Sequence, residues 1–211
     1  MGNHVSVALL VLLWLNFSCN GKATVQPRGE DMVEQESGKT LIVYLSRTNN
    51  TKAVAELIQS KVGGDLVELQ LQNPYPENYP EIVDQVDREN ENAYLPPLMT
   101  EIKELNQYDT IFLGFPTWDM QLPPPMKSFL HQYDLSGKTV IPFNTNGGYG
   151  LGSSIQQIEE LCPECNVLEA FSTRGGLERD GIYLAIEGER REEVRSQVND
   201  WLRKIGLIQQ N

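Results

Sequence analysis

The stretch Thr40–Thr51 limits what this chain can fold into more than any other. Thr40 to Leu45 is a short apolar, β-branched run, the pattern of a strand buried on both faces. It enters a polar loop of hydroxyls and side-chain amides, Ser46-Arg47-Thr48-Asn49-Asn50-Thr51. Beyond the loop, Val54, Leu57, Ile58 and Val62 recur at helical spacing, so the chain reads strand, polar loop, helix. A loop in that place faces the N–H groups that a helix start leaves unpaired, and the positive end of the helix dipole. Ser46, Thr48, Asn50 and Thr51 add hydroxyl and amide donors. The expected guest is a phosphate; the alternative is that these side chains merely cap the helix.

Two phosphate motifs are excluded here. The triphosphate loop G-x-x-x-x-G-K-[ST] is absent, and so is the dinucleotide loop G-x-G-x-x-G. Ser46–Thr51 instead resembles the phosphate loop of flavodoxin-like proteins, S/T-x-T-G-x-T, with Asn49 at the position of the glycine. Where the backbone there has positive φ, Asn tolerates it better than nearly every other non-glycine residue.

The rest of the chain alternates strands and helices. Asp65–Leu71 has a strand-like pattern, and Asn73–Pro97 is a proline-punctuated, acidic excursion with a short helix expected over Pro80–Asn90. That excursion reads as a solvated surface or as a docking face for a basic protein. A short amphipathic helix is expected over Leu98–Asn106 and a buried strand over Asp109–Phe115. Then come a Pro-started helix from Pro124 to His131, a strand over Lys138–Asn144 and a helix over Ser153–Leu161. A strand over Asn166–Ser172 and a last helix over Glu187–Ile205 complete the pattern, the helix with Val194, Val198, Trp201, Leu202 and Ile205 on one stripe. This is the order of a doubly wound α/β fold. Five parallel strands in the flavodoxin-like order 2-1-3-4-5 are expected, with ligands at the carboxyl ends of the central strands.

Three polar loops fall on that edge. The loop after the third strand carries Trp118, a flat ring suited to stacking. The loop after the fourth offers Gly147, Gly148 and Gly150, where backbone N–H groups can approach a ligand closely, with Tyr149 among them. A phosphate cradle, an aromatic plate and a glycine-rich rim suit flavin mononucleotide, FMN. The resemblance to flavodoxin-like proteins covers nearly all of Lys39–Leu207. It implies that Ser46, Arg47, Thr48, Asn49, Asn50 and Thr51 form the phosphate loop. It also implies that Pro116, Thr117, Trp118 and Asp119 flank the isoalloxazine, and that Asn144, Thr145, Asn146, Gly147, Gly148, Tyr149 and Gly150 meet its polar edge. Asp119 stands where many relatives carry a second aromatic.

The N-terminal run Val5–Leu15 is too short for the roughly 20 residues a spanning helix needs. With Ser18-Cys19 behind it, it resembles a bacterial lipoprotein signal over residues 1–19, in which Cys19 would carry lipid. A cleaved ordinary signal or an N-terminal anchor is the alternative. Residues 20–38 read as a flexible tether, and 39–208 as the folded domain. The protein is thus expected outside the cytoplasm, at the periplasm or outer surface, touching membrane only through the lipid. The formal charge of −12 in 211 residues argues against nucleic acid and for a basic partner or simple solubility.

Cys162-Pro163-Glu164-Cys165 follows a helix rather than starting one, so it reads as a structural disulfide or two inert thiols. His131 complements a helix C-terminus, and Arg174-Gly175-Gly176 reads as a turn that could also touch a substrate. No metal set can be assembled. The expected function is an FMN-binding electron carrier serving a partner protein or a small-molecule acceptor. The alternatives are an FMN-dependent oxidoreductase using NAD(P)H or a quinone, and a binding module that keeps the fold without flavin.

Overall fold

The computed structural model describes residues 38–209; the expected signal, Cys19 and nearly all of the tether lie outside them. β1 (Lys39–Tyr44), β2 (Asp65–Glu68), β3 (Tyr108–Pro116), β4 (Thr139–Asn146) and β5 (Asn166–Val167) form a parallel sheet in the order 2-1-3-4-5. A further short strand, β6 (Phe171–Arg174), also pairs with β4. The α-helices among the described residues are α1 (Asn50–Val62), α2 (Tyr79–Glu91), α3 (Pro124–Gln132), α4 (Ser154–Leu161) and α5 (Gly188–Lys204).

Successive side chains of a strand point to opposite faces, and β1 feeds two cores. Leu41 and Val43 join Ile111, Leu113, Phe115, Met126, Phe129 and Ile158 on one face. Ile42 and Tyr44 join Val54, Leu57, Ile58, Phe112, Val194, Val198 and Trp201 on the other. The strand is buried on both sides because each face has its own helices: α3 and α4 on the first, α1 and α5 on the second.

Two expectations are corrected. Residues 98–106 form no α-helix; Leu98 bridges antiparallel to Leu71 instead, and only Leu105–Gln107 makes a 3-10 turn. Gln72 N–H donates to Pro97 O, Met99 N–H to Gln70 O, and Thr100 Oγ1 accepts from Gln70 N–H. Pro97 biases Pro96 toward extended backbone, and the extended stretch that follows finds partners on the chain leaving β2, which covers that edge of the sheet. The single strand expected over Asn166–Ser172 is split into β5 and β6. Trp201 on α5 donates from Nε1 to Glu169 O (2.9 Å), so a carbonyl in the break is satisfied by a helix side chain rather than by β4. The sheet therefore has six strands, not five.

Cys162 and Cys165 are joined as a disulfide just past α4, with Cα atoms 5.4 Å apart, as in the structural reading of the pair. His131 lies in the last turn of α3. Among the described residues, no helix is long and apolar enough to cross a membrane.

Candidate functional site

An open cleft of about 270 Å³ lies at the carboxyl edge of β1, β3 and β4. The β1–α1 loop builds its floor. Asn49 at the N-cap of α1 has φ 63° and ψ 3°, the left-handed conformation that Gly usually supplies. Its side chain makes no capping hydrogen bond. Ser46 Oγ accepts from Lys52 N–H at 3.2 Å, and among the described residues no protein acceptor meets the N–H groups of Asn50 and Thr51. The loop is thus not explained by capping alone, and the first turn of α1 keeps donors for an anion.

The side chains around this floor are largely committed. Asn50, 3% exposed, donates from Nδ2 to Thr48 Oγ1 (2.9 Å) and Tyr183 O (2.6 Å). Its Oδ1 accepts from the N–H groups of Ala185 (2.9 Å) and Ile186 (3.1 Å). One amide therefore pins the β6–α5 connection against the phosphate loop. Thr51 and Thr145 share a hydroxyl–hydroxyl bond of 2.9 Å, tying α1 to β4. Thr48 Oγ1 accepts from Asn50, which leaves its own proton free to donate into the cleft.

Arg47 is the departure in this loop. Its guanidinium pairs with Glu178 (Nη2–Oε1 and Nε–Oε2 both 2.8 Å). It also donates to Pro76 O (2.8 Å) and Glu77 O (2.6 Å). Arg47 lines the cleft as part of a clamp across three segments, with its donors spent on protein rather than held free for an anion.

The β3–α3 loop supplies the plate. Trp118, half-buried, packs against Tyr75 with ring centroids 5.3 Å apart and planes at 90°. Asp119 and Met120 follow with φ 48° and 53°, two left-handed residues in succession without a glycine. A polar ring holds them. Asp119 Oδ2 accepts from Asn90 (3.1 Å) and Gln121 (2.8 Å), while Lys127 Nζ donates to Asn90 Oδ1 (2.9 Å) and Gln121 Oε1 (2.8 Å). Burial lowers the Lys127 pKa, against the pull of Asp119. Met120 O in turn accepts Ser153 N–H (2.9 Å) near the start of α4.

In the β4–α4 loop the organiser is Asn146. Its Oδ1 accepts the N–H groups of Gly148 (2.8 Å) and Gly150 (3.1 Å), and its Nδ2 donates to Asn144 Oδ1 (3.1 Å). Asn144 is fully buried and bonds Phe115 O and Thr117 Oγ1, both at 3.0 Å, so it stitches β3 to β4 beneath the cleft. Thr117 Oγ1 donates to Gly150 O at 2.6 Å.

Twelve of the expected residues therefore line one cleft: Arg47, Thr48, Asn50, Thr51, Pro116, Thr117, Trp118, Asp119, Thr145, Asn146, Gly147 and Tyr149, while Ser46 does not line it and bonds Lys52 N–H at the start of α1. Asn144, Gly148 and Gly150 shape it from behind or from the rim, and Asn49 turns outward toward Lys52, Glu56 and Arg191. The cleft also contains Tyr79, Met120, Leu177 and Glu178, which sequence reasoning did not place there, and Gly175 and Gly176, read first as a turn that could also touch a substrate. The glycine pair after the last strand carried the same signal as the β4 glycines. A Cβ on Gly176 would collide with the backbone carbonyls of Tyr183 and Ile182, so that position is read by close approach rather than by a turn.

Tyr75 Oη donates to Glu89 Oε2 at 2.5 Å, and burial followed by Glu89 pushes the phenol pKa far up. Along the outer face of α2, Asp87 is held above the usual carboxylate range by partial desolvation, then by the charges of Asp119, Asp84 and Glu91. Negative charge is thus concentrated beside the mouth of the cleft.

Comparison with known proteins agrees with this architecture. A protein from Bacteroides uniformis, provisionally assigned as a flavoprotein, superimposes with a TM-score of 0.65 at 26% identity, covering 79% of this chain and 98% of that one. A Lactobacillus acidophilus flavoprotein solved in complex with FMN has the same fold, with a TM-score of 0.59 at 24% identity, covering 64% of this chain and 93% of that one. A flavodoxin from Synechocystis is 26% identical over 127 residues, which is 58% of this chain and 61% of that protein. The sequence model of the flavodoxin family matches residues 39–187, most of the described chain. With that match spanning the sheet, the three loops and the cleft they enclose, this chain belongs to the flavodoxin family.

Proposed function

We propose that the cleft binds FMN and that the protein is an electron carrier. The observation that carries this reading is the left-handed Asn49 at the head of α1, with no side-chain cap and with free N–H groups behind it. It gives a phosphate a backbone cradle at the end of a cleft whose other end holds Trp118. The residues present fit the group. Thr48 Oγ1 and the first-turn N–H groups of α1 would hold the phosphate, Trp118 would lie along the ring system, and Gly147 with the N–H groups of its loop would meet the polar edge. When bound, FMN supplies reversible one- and two-electron transfer. The chain's own part is to orient the cofactor, keep water from one face of it and set the charge around it.

The acidic run on α2 with Asp119 at the cleft mouth supports a redox partner with a basic face, since complementary charge steers association. Attachment outside the cytoplasm through lipid on Cys19 belongs to the same proposal and rests on the leader sequence. A second reading, an FMN-dependent reductase, is favoured by one feature: Tyr79 brings the acidic excursion into the cleft wall, where it could face a substrate.

The test is direct. The purified protein should be yellow or become so with FMN, and mass analysis of the released cofactor should give FMN rather than FAD. A colourless protein that takes no flavin sinks the proposal. Steady turnover of NAD(P)H by the protein alone would favour the reductase over the carrier.

A further inference from the structure

The excursion between β2 and β3 does more than solvate an edge. α2 buries Ile82, Val86 and Glu89 along one stripe, so a carboxylate occupies a position where helical spacing calls for an apolar side chain. Glu89 is 7% exposed, and among the described residues no cation pairs with it. Its oxygens accept from Tyr75 Oη (2.5 Å) and Gln85 Nε2 (2.8 Å). A buried carboxylate held only by neutral donors is costly, and its hydrogen bonds are correspondingly strong and orienting. The group it orients most closely is Tyr75, whose ring makes the T-shaped contact with Trp118.

Tyr75 is also fixed from its other side. Arg47 in the phosphate loop donates to the carbonyls of Pro76 and Glu77, the two residues that follow it. Asn90, next to Glu89, bonds Asp119, next to Trp118. One segment therefore touches the phosphate loop at one end and the aromatic plate at the other. Tyr75 itself does not line the cleft, so whatever it does for a ligand is done through Trp118.

We propose that Tyr75, held by Glu89, is the positioning residue for Trp118, and that the 73–94 segment keeps the phosphate and ring ends of the site in register. The inference rests on the FMN reading for its ligand. An edge contact at 90° fixes the plane of the indole without occupying it by stacking. Loss of the phenol hydroxyl frees the Tyr75 ring to rotate and leaves Glu89 short of its closest donor.

The experiment uses the full chain labelled with 5-fluorotryptophan, read by fluorine NMR without cofactor and by FMN titration. Trp118→Phe identifies the Trp118 signal, and Trp201, bonded to Glu169 O on the far side of the sheet, serves as the internal reference. Tyr75→Phe should shift or broaden the Trp118 signal, leave that of Trp201 in place and weaken FMN binding about tenfold, the scale of one lost hydrogen bond. Glu89→Leu should behave the same way. Glu89→Gln keeps an acceptor oxygen for Tyr75 and should stay within about twofold of the parent. If Glu89→Leu fails to fold, Tyr75→Phe decides alone. An unmoved Trp118 signal in Tyr75→Phe overturns the proposal, and so does a moved signal with unchanged FMN affinity, because the contact would then be structural only. A parent protein that takes no FMN defeats the functional reading, while the Trp118 signal still decides whether Tyr75 positions the indole.

Discussion

The β1–α1 loop uses one left-handed residue, Asn49, while the β3–α3 loop uses two in succession, Asp119 and Met120. The first sits at a helix start between strand and helix, and its own side chain makes no capping bond. The second is held by a ring of side chains from α2, α3 and its own loop, reaching back to Asn90. Local backbone geometry sets the turning residue of the cradle, whereas side chains from other elements hold the turning residues of the plate. The cradle should therefore tolerate changes at its turning residue, and the plate should depend on residues that never touch a ligand.

The largest effect should come from the point where the two regimes meet. Asn50 starts α1, yet its amide holds the connection to α5. Asn50→Ala would strip the acceptor from one buried and one part-buried N–H group, costing about 3 kcal/mol of folding stability. Urea unfolding at neutral pH checks it, and an unchanged midpoint would mean that the connection holds itself. Next is Thr48→Ala, which removes a hydroxyl donor from the anion site and should weaken FMN binding by about 1.5–3 kcal/mol with folding little changed. In the same titration Asn49→Gly should bind as the parent does, because glycine accepts the same φ at no steric cost. Equal affinity in Thr48→Ala would remove that hydroxyl from the cradle.

Trp118→Ala should loosen FMN by about 1–2 kcal/mol through lost stacking and burial. Fluorescence titration of the cofactor is the readout, and no change would place the indole away from the flavin. Asn49→Gly aside, the smallest effect is expected at Asp119. Its carboxylate is exposed at the cleft rim, bonded by two amides, with Lys127 near enough to offset part of its charge. Asp119→Asn should raise the reduction potential of bound FMN slightly, since a negative charge beside the ring opposes added electrons, by no more than about 1 kcal/mol through solvent-screened contact. A redox titration showing a lower potential would reverse the sign of that argument.

The alternation of buried strands and amphipathic helices and the polar loops between them were legible from residue type and spacing along short stretches, and the strand order that sets those loops on one edge from the resemblance to flavodoxin-like proteins. Leu41-Ile42-Val43 needs burial on both faces, and Ser46–Thr51 needs an anion or water for its helix start, wherever the rest of the chain goes. Tertiary structure decided what depends on distant partners. Residues 98–106 had a helical pattern, but the free backbone beyond β2 drew Leu98 to Thr100 into extended pairing. The last strand is broken in two, and in the break the carbonyl of Glu169 is met by Trp201 from α5. Arg47 read as part of a phosphate loop, and only the approach of Glu178, 131 residues away, turned it into a clamp. Spacing along a chain reports which faces must be buried; it carries no information on which side chain will be near enough to satisfy a given donor, and that proximity decided the walls of this cleft.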